Sequence, residues 1–367
     1  MKIVHVVRQF YPLIGGIENV SLNLAMEQKR QGHTVSVITL NRSFFDNVRL
    51  STEDEYEGIN IKRIPFYGSK RYPLAFSSLK YVSDCDLIHI HCLDFFIDFL
   101  VLTKLLHGKK IVLHTHGGIF HTKRLLFLKK IYFYTVTRLI LLGCSKVIAC
   151  SKNDATLFRK ISNKVICIEN GVDIHKYSAI NKSIEKGVLL YIGRLDIHKR
   201  IDNLIRVTAE LYSRDKEVTL KIVGPDWKGI KSSLVRLANS LDISNRVKFL
   251  GSVTEDVLIE EMKKANCFVS ASEYEGFGIS AVEAMASGTF CVLNKIDSFN
   301  MFLTNKKYGF LVDFSNVQSA SDSIELLLNK SLEELRDIEN EAKRDVTKYC
   351  WENVVKDLNS VYREVLG

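Results

Sequence analysis

The chain has no pair of cysteines in a CxxC spacing, although its 367 residues include eight cysteines. Most of them lie in apolar, strand-like runs, which favours buried free thiols in a reducing compartment over a disulfide framework or a zinc site. The sequence also lacks a run of 18 uncharged apolar residues, so no membrane-spanning helix is predicted. Its first residues, MKIVHVVRQF, indicate a strand and lack the apolar region of a signal peptide. We therefore expect a soluble, cytoplasmic protein.

Proline is scarce as well, with four residues, so composition does not mark a linker. The length predicts two domains of roughly 150–200 residues. Short apolar runs alternate with helical patterns in two series, which is typical of parallel strands buried on both faces. We predict an α/β protein with two doubly wound domains. The stretch ENGVDIHKYSAINKSIEKG interrupts the pattern, so the expected domains are residues 1–175 and 176–349, followed by a final helix at 350–367.

Acidic residues are few in the N-terminal half of the chain. Residues 1–175 contain 24 Lys and Arg against 14 Asp and Glu, whereas residues 176–367 contain 27 against 28. The net charge of +9 therefore lies in the first half, which indicates that this half faces nucleic acid or lipid headgroups. No recognised nucleic-acid-binding module is present, so a nucleic-acid partner is not expected.

One basic segment, residues 122–143, accounts for part of this charge. On a helical wheel, four of its cations fall within about 120° and a fifth, Lys129, lies outside that arc. The four are Lys123, Arg124, Lys130 and Arg138. Such a helix either lies on anionic lipid or packs on its own sheet with one basic face. In the first case we expect its aromatic side chains at the interface: Phe127, Tyr132 and Phe133.

The first βα loop lacks the features of a nicotinamide dinucleotide site. It contains no GxGxxG turn, and the second strand ends in Asn41 and Arg42 instead of an acidic residue that would bind a ribose. This argues against an NAD-dependent oxidoreductase. The loop RQFYPLIGGIE could still bring the amides of Gly15 and Gly16 close to a ligand, or it could be a simple turn.

Two stretches of the second domain carry groups suited to a diphosphate. GRLDIHKR follows a strand and places Arg194 and Lys199 at its carboxyl end. In SEYEGFGISAVEAMASGT, the turn 276–278 is expected to begin a helix whose amides cradle a phosphate.

The same stretch contains two glutamates, Glu275 and Glu283. Eight helical positions separate them by about 12 Å along a helix axis. The acid and base of a glycosidase lie roughly 5–9.5 Å apart, so we expect these glutamates to contact opposite ends of an extended ligand such as a nucleotide sugar.

Together, the Glu-x7-Glu pair, the GFG turn, the GR…K motif and the N-terminal glycine loop resemble the retaining glycosyltransferases of family 4. The resemblance implies the GT-B fold, in which two Rossmann-like domains face a central cleft and a C-terminal helix returns to the N-terminal domain. Four further stretches resemble more narrowly the mannosyltransferases that extend a polyprenyl-diphosphate-linked oligosaccharide in bacterial exopolysaccharide assembly: HCLDFFIDFL (91–100), HTHGGIFHTK (114–123), FYTVTR (133–138) and IENGVD (168–173).

The resemblance implies a metal-independent, retaining hexosyl transfer at the inner face of the plasma membrane. GDP-mannose is the favoured donor, with a UDP-sugar as the alternative, and the acceptor is a lipid-linked oligosaccharide. No cofactor is implied. A nucleotide-sugar-binding protein without turnover remains an alternative of a different class.

The family motifs assign roles to particular residues. By resemblance, Arg194, Lys199 and the amides of Gly278 and Ile279 neutralise the leaving diphosphate. Glu275 holds donor-sugar hydroxyls and Glu283 the ribose. The full set of donor-binding candidates is Gly15, Gly16, Arg194, Lys199, Glu275, Gly276, Phe277, Gly278, Ile279 and Glu283. The catalytic candidates are Glu275, His116, Arg194 and Lys199.

Several histidines precede or follow strands, but their spacing matches no zinc motif, so no metal is expected. We expect His114 and His116 to face opposite sides of a strand. By resemblance, His116 contacts the sugar O6 or the reacting centre, and His121 is a further candidate for a functional role. Asp84 and Asp86 form a DxD triplet that we interpret as a turn before a buried strand.

Overall fold

The computed structural model describes residues 1–13, 15–117, 126–304 and 307–367. The chain divides into two compact units, Met1–Gly171 with Trp351–Gly367 and Val172–Cys350. The first unit thus ends at Gly171, whereas the sequence pattern predicts a boundary after residue 175. All eight cysteines are free.

The described part of the first unit contains ten strands: β1 (Lys2–Val6), β2 (Thr34–Leu40), β3 (Glu53–Tyr56), β4 (Ile59–Ile64), β5 (Tyr67–Ser69), β6 (Tyr72–Leu74), β7 (Leu87–His91), β8 (Lys110–Thr115), β9 (Lys146–Ala149) and β10 (Val165–Cys167). Strands β5 and β6 form a hairpin, and the others form one sheet in the order β10-β9-β8-β7-β1-β2-β4-β3. Only β3 pairs antiparallel to its neighbour in this sheet of described strands. The strand order reverses between β1 and β7, where doubly wound folds bind ligands.

Six helices of the first unit precede residue 171 in the described ranges: α1 (Gly16–Arg30), α2 (Phe95–Leu102), α3 (Lys104–His107), α4 (Leu126–Tyr132), α5 (Arg138–Gly143) and α6 (Lys152–Arg159). A π-helical turn, Phe133–Thr137, joins α4 to α5. Local caps define several helix starts. Asp94, for example, accepts a hydrogen bond from the amide of Phe96 at 2.9 Å and so begins α2.

The second unit contains six described strands: β11 (Val188–Ile192), β12 (Thr219–Val223), β13 (Val247–Gly251), β14 (Cys267–Ser270), β15 (Phe290–Asn294) and β16 (Gly309–Val312). All of them pair in parallel, in the order β13-β12-β11-β14-β15-β16. This is the strand order of the doubly wound dinucleotide-binding folds, and it reverses between β11 and β14.

The described helices of the second unit are α7 (Ile174–Ser178), α8 (Ile201–Ser213), α9 (Lys231–Ser240), α10 (Glu255–Lys264), α11 (Ile279–Ala286), α12 (Asp297–Leu303), α13 (Val317–Leu328) and α14 (Leu332–Asp345). The last helix of the chain, α15 (Trp351–Leu366), belongs to the first unit. Its apolar face is buried at positions such as Val355, Leu358 and Tyr362.

The alternating apolar pattern predicted the parallel sheets of both units, but it did not mark β3 to β6 or β16. Strand β3 (EDEY) is polar and mostly exposed at the sheet edge, so it lacks the apolar run that marks a buried strand. The DxD triplet is a turn before β7, as expected. The Asp86 carboxylate accepts a hydrogen bond from the amide of Lys2 at 2.7 Å, and Asp84 pairs with the Lys2 ammonium at 3.0 Å.

Candidate active site

The loops that follow β11 and β14 meet where the strand order of the second unit reverses. The first loop carries Lys199 and the second carries Glu275. The Lys199 ammonium donates a hydrogen bond to Glu275 Oε1 at 2.6 Å. The two side chains are only 12% and 18% exposed, so water screens this ion pair less than it screens a surface pair. The fold therefore brings together two residues that the sequence separates by 76 positions.

Further contacts tie the same two loops together. The amide of Glu273 donates to the carbonyl of His198 at 2.8 Å. The Arg200 guanidinium donates to Glu273 Oε1 at 2.5 Å and to Asp202 Oδ2 at 3.0 Å. These bonds restrain the two loops relative to each other, which preorganises the Lys199–Glu275 pair.

Gly278 caps helix α11 in a conformation that favours glycine. Its φ is +99°, and a Cβ at this position would lie 2.8 Å from Cε1 of Phe299. The preceding Phe277 is buried, with its ring centroid 5.2 Å from that of Phe302 and 5.5 Å from that of Tyr349. The loop is thus anchored by an aromatic side chain immediately before the turn that begins the helix.

The helix start corrects one expectation. Helix α11 begins at Ile279, so Gly276, Phe277 and Gly278 precede it, and Glu275 lies in the loop. The spacing of about 12 Å assumed eight continuous helical positions and does not apply. The estimated spacing therefore no longer distinguishes Glu275 and Glu283 from the acid and base of a glycosidase.

Gly278→Ala should destabilise the second unit by about 1–3 kcal/mol, because the left-handed backbone and the contact with Phe299 both oppose a Cβ. Urea unfolding measures this loss. Gly229→Ala is the matched control, since Gly229 also has a positive φ (+68°) but nothing within 4 Å of the position that a Cβ would take. Equal losses in the two variants would contradict the steric part of the argument.

Arg194, the other cation expected here, lies exposed in the loop after β11. Its guanidinium carbon is 5.3 Å from the ring centroid of Trp227. Stacking on an aromatic face restrains an arginine while leaving its donors accessible. Sequence reasoning missed Trp227, because a tryptophan in a polar loop carries no motif.

Glu283 lies on α11, half-buried beside Tyr177 and Lys176 of α7. Burial raises the pKa of this carboxyl group to about 7, although the Tyr177 hydroxyl and the Lys176 ammonium both act to lower it. Sequence reasoning singled out neither neighbour of Glu283, because they precede it by about a hundred positions.

The glycines of the first loop lie at the start of α1. Gly15 is the N-cap and Gly16 the first helical residue. A Cβ on Gly15 would lie 2.2 Å from the Glu18 carboxylate, whereas Gly16 has nothing within 4 Å of such an atom. A cavity of about 90 Å³ lies beside this helix start at the carboxyl ends of β1 and β7; its lining includes Arg8, Gln9, Glu18, His91 and Cys92.

His116 follows β8 in the first unit and is part-exposed. The expectation that it faces away from His114 is wrong, because residues two positions apart on a strand share a face. The two rings are stacked with centroids 4.3 Å apart. His121 lies outside the described residues.

Histidines that are far apart in the sequence lie close together in the folded first unit. The ligand atoms of His5, His89 and His91 lie within 4.8 Å of one another, and so do those of His91, His114 and His116. The signal that could have found them is histidine at alternate positions of neighbouring strands, as in HIH (89–91) and HTH (114–116).

Of the basic residues assigned to a membrane surface, Lys130 and Arg138 are exposed and Lys129 is half-buried. Lys123 and Arg124 lie outside the described residues. Two of the three aromatic side chains expected at the interface are placed elsewhere. Phe133 is fully buried, and the Tyr132 hydroxyl donates to Asp98 Oδ2 at 2.6 Å; Phe127 is 75% exposed. The π-helical turn at 133–137 changes the phase of the residues that follow it, so a uniform 100° wheel does not apply to Arg138.

Comparison with known proteins identifies the family. A family model described as Glycosyltransferase Family 4 matches residues 14–176, and one described as Glycosyl transferases group 1 matches residues 174–345. A GDP-mannose:cellobiosyl-diphosphopolyprenol alpha-mannosyltransferase from Xanthomonas oryzae pv. oryzae is 37% identical, covering 100% of this chain and 98% of that protein. The chain belongs to glycosyltransferase family 4. A relative of the same description from Komagataeibacter xylinus is 33% identical over 100% of this chain and 94% of its own length.

Solved structures agree on the fold of this glycosyltransferase. A sucrose-phosphate synthase from Thermosynechococcus elongatus superposes with a TM-score of 0.79 at 19% identity, covering 99% of this chain and 98% of that one. The catalytic domain of starch synthase IV from Arabidopsis thaliana gives 0.73 at 14% identity, covering 100% and 99%. The fold is therefore GT-B, as expected. The alternatives of a nicotinamide-dependent oxidoreductase and of a binding protein without turnover are set aside.

Proposed function

We propose that this family 4 enzyme transfers mannose from GDP-mannose to a polyprenyl-diphosphate-linked oligosaccharide in bacterial surface polysaccharide synthesis, with retention of configuration and without a metal ion. Three relatives that are 33–37% identical over the whole chain are described as GDP-mannose:cellobiosyl-diphosphopolyprenol alpha-mannosyltransferases. The structural observation that carries the proposal is the Lys199–Glu275 pair at the carboxyl ends of β11 and β14, in the same unit as Arg194 and the Gly278 cap of α11.

In this proposal Lys199 and Arg194 stabilise the charge that develops on the departing diphosphate, assisted by the amides of Gly278 and Ile279. Glu275 accepts hydrogen bonds from hydroxyls of the donor sugar. The bond between the anomeric carbon and the phosphate oxygen breaks, the acceptor oxygen bonds to the same face of that carbon, and the acceptor proton moves to the departing phosphate oxygen. The residues supply position and electrostatic stabilisation, and no protein nucleophile is needed.

The remaining assigned residues bind the other parts of the substrates. Glu283 binds the ribose, and His116 contacts the transferred sugar near the reacting centre. Gly15 and Gly16 allow the donor phosphate or the acceptor to approach the start of α1.

The assay that tests this proposal offers the purified enzyme a panel of GDP- and UDP-sugars with a polyprenyl-diphosphate-linked cellobiose acceptor. We expect transfer from GDP-mannose, an α-linked product by NMR, and undiminished activity after EDTA treatment. Faster transfer from a UDP-sugar would contradict the donor assignment. An inverted product or loss of activity on chelation would contradict the mechanism.

The ionisation of Glu283 gives this donor assignment a pH signature. A ribose-binding glutamate accepts hydrogen bonds best as the carboxylate, and its pKa of about 7 means that it is largely protonated at pH 6. The affinity for GDP-mannose should therefore rise between pH 6 and pH 8, by up to about tenfold. Calorimetric titration with GDP-mannose, whose phosphates do not titrate in this range, measures the change. Glu283→Gln should bind more weakly at pH 8 and show a flat profile; an unchanged slope in this variant would assign the titration to another group.

We further propose that the first unit docks on an anionic membrane surface. No helix in the described ranges is long and apolar enough to cross a bilayer. Between Asp98 and Asp154 the sequence has ten Lys and Arg and no acidic residue. The same region exposes a set of large apolar side chains, here called the apolar patch: Leu102, Leu105, Leu106, Phe127, Leu128, Leu139 and Leu142.

The apolar patch is held together by contacts between its helices. Lys104 of α3 donates to the carbonyl of Gly143 at the end of α5, at 2.6 Å. Tyr72 and Tyr132 both donate to Asp98 Oδ2 at 2.6 Å, which fastens α4 to α2. Exposed leucines in a segment that is rich in cations suit insertion into the headgroup region of an anionic bilayer.

Flotation with vesicles tests the docking surface. Leu105→Glu combined with Leu106→Glu should abolish co-flotation with vesicles that contain anionic phospholipid, because these side chains are 99% and 75% exposed. Leu326→Glu is the control, since Leu326 of the second unit is 64% exposed but far in sequence from the basic region. Binding that does not increase with anionic lipid, or that survives the double substitution, would contradict the proposal.

A further inference from the structure

Five imidazoles lie together on one face of the first unit's sheet. Strands β1, β7 and β8 and the residue after β8 supply this histidine cluster, which consists of His5, His89, His91, His114 and His116. The parallel register places His5 beside His89, and His91 beside His114. The centroids of neighbouring rings are 4.3–5.8 Å apart. The five rings thus form one continuous contact network, of which only His116 is part-exposed.

One branch of hydrogen bonds leads from His116 into the protein. His116 Nε2 lies 2.8 Å from His91 Nδ1, and His91 Nε2 lies 2.9 Å from His5 Nδ1. The branch ends at Gln28 of α1, whose Oε1 is 2.7 Å from His5 Nε2. Gln28 is fully buried. His91 and His5 therefore each use Nδ1 toward His116 and Nε2 toward Gln28.

Because all of these imidazoles are neutral, the branch has a direction. Burial lowers the pKa of His116 to about 3 and that of His5 to about 4, and it lowers the pKa of His91 as well. A neutral imidazole has one N–H and one lone pair. The Gln28 carbonyl oxygen can only accept, so His5 carries its proton on Nε2 and accepts through Nδ1. Because His5 Nδ1 accepts, His91 must donate to it and carries its proton on Nε2. His91 Nδ1 then accepts from His116, which therefore also carries its proton on Nε2.

A second branch from Gln28 orients the amide. Gln28 Nε2 donates to the Tyr362 hydroxyl at 3.1 Å, and Tyr362 of α15 donates in turn to His89 Nδ1. His89 Nε2 then donates to His114 Nδ1 at 3.3 Å. His114 Nε2 has no hydrogen-bond partner among the described residues. In both branches every histidine carries its proton on Nε2.

We propose that Gln28 is a positioning residue that, through His5 and His91, keeps the proton of His116 on Nε2 and leaves Nδ1 as a hydrogen-bond acceptor. The substrate group that suits this nitrogen is a hydroxyl of the transferred sugar or of the acceptor. The catalytic consequence rests on the proposed function of His116, whereas the tautomer assignment does not.

The same cluster offers two triplets of histidines with ligand atoms close enough for a transition-metal ion. The hydrogen bonds favour the neutral network, because each of the four bonds between a histidine and its neighbour or Gln28 lies at 2.7–3.3 Å and uses a nitrogen that a metal would need. Metal binding is therefore an outcome of the test that would overturn the proposal.

The test is histidine-selective 15N NMR of the purified full-length enzyme, combined with steady-state kinetics. In the wild type we expect a pyrrole-type Nε2 and a pyridine-type Nδ1 for all five histidines. Gln28→Leu removes the terminal acceptor, so His116 should become a mixture of tautomers. Its kcat should fall about tenfold with little change in the KM for donor. Tyr362→Phe removes only a hydroxyl and should shift the tautomers in the same direction. This variant tests the proposal if Gln28→Leu fails to fold.

Gln31→Leu is the matched control. Gln31 lies on the same helix end and bonds to Asn359 of α15 at 2.8 Å, but it does not contact the histidine cluster. It should leave both the tautomers and kcat unchanged. A protonated Nδ1 at His116 in the wild type, an unchanged tautomer in Gln28→Leu, or one equivalent of zinc with metal-shifted resonances would each overturn the inference. Full activity of His116→Ala would instead contradict the proposed function of His116 and leave the tautomer result intact.

Discussion

Replacing Glu275 with alanine is expected to lower kcat for mannosyl transfer about 10²- to 10³-fold while GDP binds with affinity similar to that of the wild type. In the proposed mechanism the carboxylate contacts the transferred sugar, and the nucleotide is bound by other groups. The ion pair at 2.6 Å also orients the Lys199 ammonium. Removing Glu275 frees this ammonium to bind the diphosphate, so nucleotide affinity should not suffer.

Measurement of kcat, of the KM for donor and of the Kd for GDP separates these effects. Glu217→Gln is the matched control, because Glu217 forms an ion pair of the same length with Arg246 but is 81% exposed. It should behave as the wild type, since exposed ion pairs contribute little. A Glu275→Ala enzyme that transfers mannose at the wild-type rate would refute the assignment. A loss confined to GDP affinity would move Glu275 from the sugar to the nucleotide.

The second large effect concerns acid stability of the first unit. An unfolded imidazole protonates near pH 6.5, whereas burial lowers the pKa of His5 to about 4 and that of His116 to about 3. Between these pH values the unfolded state binds more protons, so the free energy of unfolding falls as the pH falls. Each such histidine contributes a loss of up to about 1.4 kcal/mol per pH unit. His89, His91 and His114 act in the same sense.

Buried carboxyl groups partly oppose this loss. Burial raises the pKa of Asp154 and raises that of Asp94 to about 7, and such groups stabilise the folded state as the pH falls. Five histidines outweigh these two carboxyl groups, so we expect the free energy of unfolding of the first unit to fall as the pH falls below about 6.5. The first unit loses stability in acid because its buried imidazoles are neutral in the folded state and protonated in the unfolded state.

Each unit contains one of the two tryptophans, which makes the measurement selective. In a Trp227→Phe background, fluorescence of Trp351 reports urea unfolding of the first unit at pH 7, 6 and 5. Replacing His89 with glutamine should reduce the slope of stability against pH. Replacing the exposed His175 with glutamine should not. A slope of zero in the parent would contradict neutral burial of the cluster.

Much of the fold could be predicted from the sequence, because parallel strands buried on both faces must be continuous apolar runs. The parallel sheets of both units follow from that pattern. Polar edge strands such as β3 escaped it, since exposed strands need no apolar signal. The exposed position predicted for Phe133 is also wrong, because the apolar residues of this segment do not by themselves show which face of the helix packs on the core.

The sequence by itself determined the doubly wound architecture, the Gly278 turn, and the motifs that indicated the family. Those signals are local, since each depends on residues within a few positions of one another. Only the tertiary structure decided that Lys199 bonds to Glu275, that Arg194 stacks on Trp227, and that five histidines share one face. Such contacts depend on which strands become neighbours and in what register, and hydrogen bonding across the sheet sets both.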